Sequence, residues 1–136
     1  MGLSARLVAA VDALPLAPGM RVLEIGCGPG AAAREVARRV GPEGFVLAVD
    51  RSAKAVAQAL AGSPDEVAAG ALAVRQVAVE RFALEEGEAL YDLAFAVRVG
   101  ALDGRHPELE REALQRIWAA LVPDGRLYVD GRELHR

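Results

Sequence analysis

Two acidic residues and a short run of glycines are spaced so that together they could hold a small charged ligand. Glu24 lies inside an apolar stretch, two residues before Gly26, and Asp50 ends a second apolar stretch twenty positions after Gly30. A carboxylate within an apolar segment is costly to bury unless it is hydrogen-bonded or paired with a charge. Glu24 therefore favours a ligand that carries ammonium or sulfonium charge, and Asp50 could accept both hydroxyls of a ribose. Together the two acids indicate a nucleoside-type cofactor.

The segment Gly26-Cys27-Gly28-Pro29-Gly30 predicts a tight turn against which a ligand could lie. Glycine lets the backbone turn sharply, and it has no Cβ to collide with a ligand. With Ala31 in the last glycine position, the segment also satisfies the loose dinucleotide fingerprint. Glu24 would nevertheless repel a pyrophosphate, and Pro29 lacks the backbone donor that a phosphate cradle would use. A nicotinamide (NAD)-dependent oxidoreductase is thus an alternative that Asp50 allows and Glu24 disfavours.

The elements that must position these residues alternate between strand and helix. The first two predicted strands are apolar without alternation, which is typical of a parallel sheet buried on both faces. Ligands of such sheets bind beyond the carboxyl ends of the strands, at the point where strand order reverses. We therefore predict one α/β domain over residues 1–136, doubly wound, with a mainly parallel sheet and helices on both faces. The predicted strands are 20–25, 45–49, 73–79, 91–97 and 126–130. The predicted helices are one capped by Ser4, one at 31–40, one capped by Ser52 that runs through Leu60, a short one that follows a capping box at 63–66, and one at 107–121. A turn is predicted at 123–125.

Composition and charge narrow the class of protein further. The 136 residues, 53% of them hydrophobic, can bury a core, and they exclude a disordered chain. A net charge of −3 disfavours nucleic acid as a partner, because nucleic-acid binding normally needs a basic surface. No apolar run approaches the roughly 18 residues of a spanning helix, and Met1-Gly2 begins no secretory signal, so we expect no membrane contact and a cytoplasmic location. One cysteine and two histidines are too few for a zinc site, and no metal is expected.

The segment Val22–Gly30 resembles motif I of the class I S-adenosylmethionine-dependent methyltransferases. Residues 48–52 resemble the second acidic motif of that family, 91–96 its fourth strand, and 121–129 its passage from helix to fifth strand. The resemblance extends from about Met20 to Asp130 in the right order and spacing. It implies a Rossmann-like fold, S-adenosyl-L-methionine as the cofactor, and methyl transfer as the activity.

The resemblance also implies roles for single residues of the glycine turn. Gly26, Cys27, Gly28 and Gly30 would face the methionine part of the cofactor. Glu24 would orient this turn and help to hold the cofactor's amino group.

For the nucleoside part of the cofactor, the resemblance implies that Asp50 accepts the ribose hydroxyls and that Arg51 flanks the adenine. The acid that the family often carries after its third strand would fall at Ala78. Backbone groups of Ala78 and Val79, or Glu80, would therefore contact the adenine instead.

The methyl acceptor is not identified by any residue with a forced chemistry, and the catalytic residue is unknown. Ala96, with residues 97–99, would line the pocket near the reactive methyl group. His106 is the one available local base, and Arg98 could bind an acidic substrate; the alternatives are a structural or exposed histidine and an arginine paired with a surface carboxylate. A general base is needed only where the nucleophile carries a proton of high pKa. The acidic pI, near 5.4, favours a small-molecule acceptor.

The number of predicted strands leads to an expectation about partners. The usual sheet of the family has seven strands, the last two forming a hairpin beside the fifth, and only five are predicted here. The fifth strand would then be an apolar edge, a liability that proteins usually cover. We therefore expect a homodimer, or a partner covering Leu127, Tyr128 and Val129. A further alternative follows: a module or partner subunit that binds S-adenosylmethionine without catalysis of its own.

Overall fold

A six-stranded sheet runs through the computed structural model, which describes residues 3–136. Met1 and Gly2, where we expected no secretory signal to begin, lie outside the described residues. Five strands are parallel, and the sixth is antiparallel to its neighbour. In chain order the strands are β1 (Arg21–Ile25), β2 (Phe45–Asp50), β3 (Leu72–Gln76), β4 (Tyr91–Ala96), β5 (Leu121–Val129) and β6 (Arg132–Leu134). They lie in the order β3-β2-β1-β4-β5-β6, so strand order reverses between β1 and β4.

Helices pack on both faces of this sheet, which confirms the predicted doubly wound α/β fold. The helices are α1 (Ala5–Asp12), α2 (Ala31–Val40), α3 (Ala53–Ala61), α4 (Pro64–Ala68) and α5 (Pro107–Ala120), with one 3-10 turn at Val79–Arg81. Helices α1, α2 and α3 pack on one face, whereas α5 and the 3-10 turn pack on the other. Within residues 3–136, no helix has the length and apolar character that crossing a bilayer requires.

Successive residues of β1 contribute to opposite faces of the sheet, because side chains alternate along a strand. Val22 belongs to the core beneath α1–α3, and Leu23 belongs to the core beneath α5. Glu24 is paired in register with Ala48 and Phe95, both of which lie in the α1–α3 core. The strand pattern therefore directs the Glu24 side chain into that core.

Two of the three predicted helix caps are present. The Oγ of Ser4 accepts a hydrogen bond from the Leu7 amide, and the Oγ of Ser52 accepts one from the Ala55 amide, at 3.2 and 3.1 Å. The predicted capping box at Ser63 is wrong, since this residue makes no side-chain cap. Its fully buried Oγ instead accepts a hydrogen bond from Nη1 of Arg34 at 3.0 Å. A tertiary contact has replaced the local one.

The third strand ends three residues earlier than predicted. Strand β2 ends at Asp50, which is paired in register with Gln76, so β3 has no ladder partner beyond that point. The amide of Val77 still donates to the carbonyl of Asp50 at 3.0 Å, and the chain then enters the 3-10 turn at Val79. This early exit directs residues 77–80 towards the carboxyl edge of the sheet.

The turn predicted at 123–125 is an irregularity inside β5. Leu121 pairs with Tyr91, but Arg126 already pairs with Leu93, so β5 carries extra residues between these two pairs. A Cβ added at Gly125 would lie 2.9 Å from the Cβ of Leu121, which explains why glycine occupies the tightest point. The segment thus bulges without leaving the sheet.

The prediction that β5 forms an open edge of the sheet is wrong, because β6 pairs with Leu127–Val129. Asp130 and Gly131 join the two strands with φ angles of +50° and +81°, as a two-residue hairpin turn requires. Three residues with two charges give too little apolar alternation for a strand prediction. The homodimer stays a prediction, but an uncovered β5 no longer supports it.

We predict that Gly131→Ala lowers the free energy of unfolding by about 1 kcal/mol, because alanine resists a left-handed backbone. Gly87 provides a matched control, since its φ of +80° is similar and nothing lies within 4 Å of a Cβ there. Chemical denaturation should show a similar loss for both variants. Amide hydrogen exchange should speed up in the β5–β6 ladder only in Gly131→Ala. Equal protection of that ladder in both variants would contradict the role assigned to the turn.

Candidate functional site

The glycine turn after β1 is tied to β2 by its own backbone. The Val49 carbonyl accepts the amides of Gly26 and Cys27, at 2.8 and 3.0 Å. The Gly28 amide donates to Oδ2 of Asp50 at 3.0 Å, and the Gly30 amide donates to the Cys27 carbonyl at 3.1 Å. The remaining residue of the turn is a proline, which has no N–H. The turn itself therefore offers no amide to a pyrophosphate.

Two glycines of this turn allow close approaches between elements. Gly26 has a φ of +71°, and a Cβ there would lie 2.6 Å from Cγ2 of Val99 in the loop after β4. Gly30 has a φ of +91°, and its Cβ would lie 3.2 Å from the Cβ of Ala59 in α3. A Cβ at Gly28, by contrast, would meet nothing within 4 Å. Of these three glycines, Gly28 is therefore the one whose Cβ position is open.

Glu24 is only 3% exposed, and its Oε1 has no hydrogen-bond partner among the described residues. Burial, and next the negative charge of Asp50, raise the pKa of this carboxyl from 4.5 to about 8. Burial, with Glu24 and Asp50, also raises the pKa of the Cys27 thiol to about 12, so this cysteine is not poised as a nucleophile. An unpartnered buried carboxyl oxygen fits a ligand with a cationic donor such as an ammonium group.

Asp50 combines a structural task with free acceptor capacity. Its Oδ1 accepts the Ser52 amide at 2.9 Å, and its Oδ2 accepts the Gly28 amide. A carboxylate has about four acceptor positions, so about two remain. Because Asp50 also lines a cavity of about 300 Å³, the remaining positions are available to hydroxyl groups there.

This cavity brings together many of the residues singled out in the sequence. It opens at the carboxyl edge of the sheet between the loops that follow β1 to β4, and it is lined by Gly26, Asp50, Arg51, Ala78, Val79, Arg98 and His106. Glu80 also lines it, so the whole predicted adenine-contacting segment is present. Glu24, Cys27, Gly28, Gly30 and Ala96 do not form its wall, and their cofactor contacts stay predictions.

Ala96 lies deeper than predicted. Its side chain is buried in the core beneath α5, and its carbonyl accepts the Asp130 amide at 2.9 Å. The loop that follows, including Val99 and Ala101, lines the cavity in its place.

The two candidate catalytic residues differ in their surroundings. The His106 side chain is 49% exposed, and its Nδ1 lies 3.6 Å from Oε2 of Glu108. Arg98 lines the cavity from a backbone with a φ of +56°, a conformation rare for residues other than glycine. Among residues 3–136, no group of three or more histidine, cysteine or acidic side chains is placed to hold a metal ion.

Sequence reasoning missed Arg34, which donates hydrogen bonds to the glycine turn and to a residue beyond it. Its Nη1 donates to the Pro29 carbonyl at 3.1 Å and to the buried Oγ of Ser63 at 3.0 Å. Arg34 therefore joins the turn to the start of α4. The amphipathic pattern of α2 marked Arg34 only as an outward residue, since its partners lie outside that helix.

A family model for methyltransferase domains matches residues 22–125, which is more than half of the chain. The chain belongs to this family. The match confirms the resemblance to class I S-adenosylmethionine-dependent methyltransferases and, at the level of the family, the predicted cofactor.

Solved structures share the fold of this methyltransferase domain. YcgJ from Bacillus subtilis is 20% identical with a TM-score of 0.72, over 91% of this chain and 49% of its own. A methyltransferase from Geobacter sulfurreducens in complex with S-adenosyl-L-homocysteine is 19% identical with a TM-score of 0.70, over 94% of this chain and 48% of its own. The chain therefore spans about half the length of these two proteins.

A shorter likeness exists to a 37.1 kDa protein of unassigned function from transposon TN4556 of Streptomyces fradiae. It is 43% identical over 49 residues, which are 36% of this chain and 14% of the other protein. This likeness covers too little of either chain to carry a function.

We predict that Arg34→Met lowers the free energy of unfolding by about 1–3 kcal/mol, because the buried Ser63 hydroxyl loses its donor. Arg38→Met is a matched control on the same helix, because Arg38 pairs only with Glu35 at the surface, and we expect a change within about 0.5 kcal/mol. Urea denaturation measures both values. Equal losses in the two variants would refute the role of Arg34.

Proposed function

We propose that the domain binds S-adenosyl-L-methionine in the cavity beside Asp50 and transfers its methyl group to a small molecule. The observation that carries this proposal is the buried, unpartnered oxygen of Glu24, which comes two residues before a glycine turn whose own amides are all engaged. Such a site favours a cationic amino acid moiety and gives no cradle to a pyrophosphate.

The nucleoside half of the cofactor fits the residues that line the cavity. Asp50 keeps acceptor positions for two ribose hydroxyls, while Arg51 and the 77–80 segment lie where an adenine would be enclosed. Ala78 and Val79 bring backbone groups and apolar surface to this wall. The absent acid at Ala78 thus leaves adenine recognition to the backbone and to Glu80.

The bound cofactor would supply a methyl group on a sulfonium, which is already a good leaving group. The remaining task of the chain is to hold the acceptor in line and to exclude water, and proximity of this kind can supply much of a rate acceleration. His106 would act as general base only for an acceptor with a proton of high pKa. Its place in the cavity wall supports this role, and half of its side chain stays open to solvent.

The alternatives are ranked by the same observations. An NAD-dependent oxidoreductase needs amides for a pyrophosphate, and the engaged glycine turn disfavours it. A non-catalytic module or partner subunit that binds the cofactor agrees equally well with the site, and the relatives' greater length keeps it as the second proposal. The homodimer and the cytoplasmic location stay predictions.

Calorimetric titration of the purified chain with S-adenosylhomocysteine and with NAD tests the cofactor. We expect saturable binding of S-adenosylhomocysteine and far weaker binding of NAD, and the reverse ranking would overturn the proposal. Transfer of a tritiated methyl group to small-molecule acceptors then separates the enzyme from the non-catalytic module.

We predict that binding of S-adenosylhomocysteine releases a proton below about pH 8. The pKa of Glu24 is raised in the free domain, and a bound ammonium would favour its ionised form. Affinity should therefore rise with pH by up to about tenfold per unit, and then level off near pH 8. Calorimetry in two buffers of different ionisation enthalpy measures the released protons. Glu24→Gln should abolish both the release and the pH dependence, and persistence of either would exclude Glu24 as the source.

We predict that Asp50→Asn weakens S-adenosylhomocysteine binding by about 1.5–3 kcal/mol, because hydrogen bonds to the ribose lose their charged acceptor. Asp92→Asn is the matched control, since Oδ2 of Asp92 also accepts a backbone amide, that of Arg21, at the opposite end of the sheet. Both variants should lose some thermal stability, but only Asp50→Asn should lose affinity. An equal loss of affinity in both would place the effect in folding.

A further inference from the structure

A second cavity, of about 620 Å³, opens at the carboxyl ends of β4 and β5. One wall is α1, and the opposite wall is the turn between β5 and β6. The residues that matter here are Arg6, Ala10, Val97, Arg98, Asp130 and Arg132. Its volume lies within the range of about 300–1,000 Å³ typical of small-molecule sites.

The charge of this second cavity is opposite to that of the whole chain. Three arginines and one aspartate line it, although the chain carries a net charge of −3. Asp130 already uses Oδ1 to accept the Arg98 amide at 2.8 Å. None of the three arginines forms an ion pair with a described residue, whereas Arg39, Arg75 and Arg126 do so elsewhere. An anion placed here would therefore meet unneutralised positive charge.

The backbone at the mouth of the second cavity is strained and firmly held. Arg98 and Asp130, with φ angles of +56° and +50°, are the two non-glycine residues with positive φ in the described chain. Such residues persist only where the surrounding structure fixes them, and they cluster at functional sites. Two more hydrogen bonds hold these residues, in addition to the one that joins them. The Asp130 amide donates to the Ala96 carbonyl, and Nη2 of Arg105 donates to the Arg98 carbonyl at 2.6 Å. These hydrogen bonds fix the backbone from which the Arg98 side chain extends.

Arg98 also lines the 300 Å³ cavity beside Asp50, so the two cavities meet at this residue. A molecule in the second cavity would therefore lie next to the proposed cofactor site. The planar fork of an arginine matches carboxylate and phosphate oxygens, and it can bind either group through two parallel hydrogen bonds.

We propose that the 620 Å³ cavity binds the methyl acceptor, and that this acceptor carries a carboxylate or phosphate group held by Arg6, Arg98 and Arg132. This proposal names the substrate class and rests on the proposed function. The acceptor is then an anionic small molecule, and the domain binds it more tightly than its neutral analogues.

The test uses the whole chain loaded with S-adenosylhomocysteine and three probes of similar size: benzoate, phenyl phosphate and neutral benzyl alcohol. Titrations followed by amide chemical shifts should show saturable binding of benzoate or phenyl phosphate, centred on residues 97–98 and 130–132. Benzyl alcohol should bind at least about tenfold more weakly. The stronger of the two anions identifies the acceptor group as a carboxylate or a phosphate.

Variants locate the anion site and separate it from the cofactor site. Arg132→Ala and Arg6→Ala should each weaken anion binding by about tenfold, with affinity for S-adenosylhomocysteine retained. Arg136→Ala, which removes an arginine that lies over the Trp118 ring and does not line the second cavity, should leave anion binding unchanged.

Three results would overturn the acceptor proposal: no saturable anion binding up to about 10 mM, equal binding of benzyl alcohol, or an equal effect of Arg136→Ala. If the unmodified chain did not bind S-adenosylhomocysteine at all, the proposed function would be refuted instead. The anion titration of the unloaded chain would still measure whether the three arginines bind an anion.

Discussion

The site depends on the way in which the end of β2 holds the glycine turn after β1. The Val49 carbonyl and the Asp50 carboxylate together accept three amides of that turn, at 2.8 to 3.0 Å. These bonds place the turn over the carboxyl edge of the sheet and use up the donors that would otherwise attract phosphate. They also leave Asp50 with acceptor positions directed at the cavity. One set of contacts thus determines the shape of the turn and engages all of its backbone donors.

The buried carboxyl of Glu24 carries an energetic cost in this arrangement. Its environment disfavours ionisation, and the charge of Asp50 adds to that cost. A ligand that supplied the missing partner would offset this cost, and carboxyls with strongly perturbed pKa values are often functional for this reason. Burial, together with the charges of Glu24 and Asp50, also keeps the Cys27 thiol protonated.

Contacts outside the turn make the arrangement rigid. Arg34 joins the Pro29 carbonyl to Ser63, and Gly26 allows the loop after β4 to approach within contact distance. On the other side of the cavity, Arg98 and Asp130 both have positive φ angles, and the Arg98 amide donates to the Asp130 carboxylate. This bond fixes the backbone where the two cavities meet. The walls of the two cavities are therefore built largely from loops, with α1 forming one wall of the second, and a mainly parallel sheet with helices on both faces holds these loops in place.

The sequence by itself determined the parts of the protein that depend on local pattern. Continuous apolar runs predicted β1 and β2, helical spacing predicted α2 at residues 31–40, and Ser4 and Ser52 were identified as caps from their immediate neighbours. The acids and glycines of the site could be found because a buried charge and a glycine-rich turn are visible in a few residues.

Only the tertiary structure decided β6, the partner of Ser63 and the meeting of three arginines at one cavity. The last two features join positions such as 34 with 63 and 98 with 130, which are 29 and 32 residues apart. Strand β6 pairs with nearby residues of β5, but its three residues carry too little apolar alternation to predict a strand. Local sequence sets backbone preference and burial, whereas such pairings depend on strand register and on which faces pack together. That geometry exists only after the whole sheet has formed.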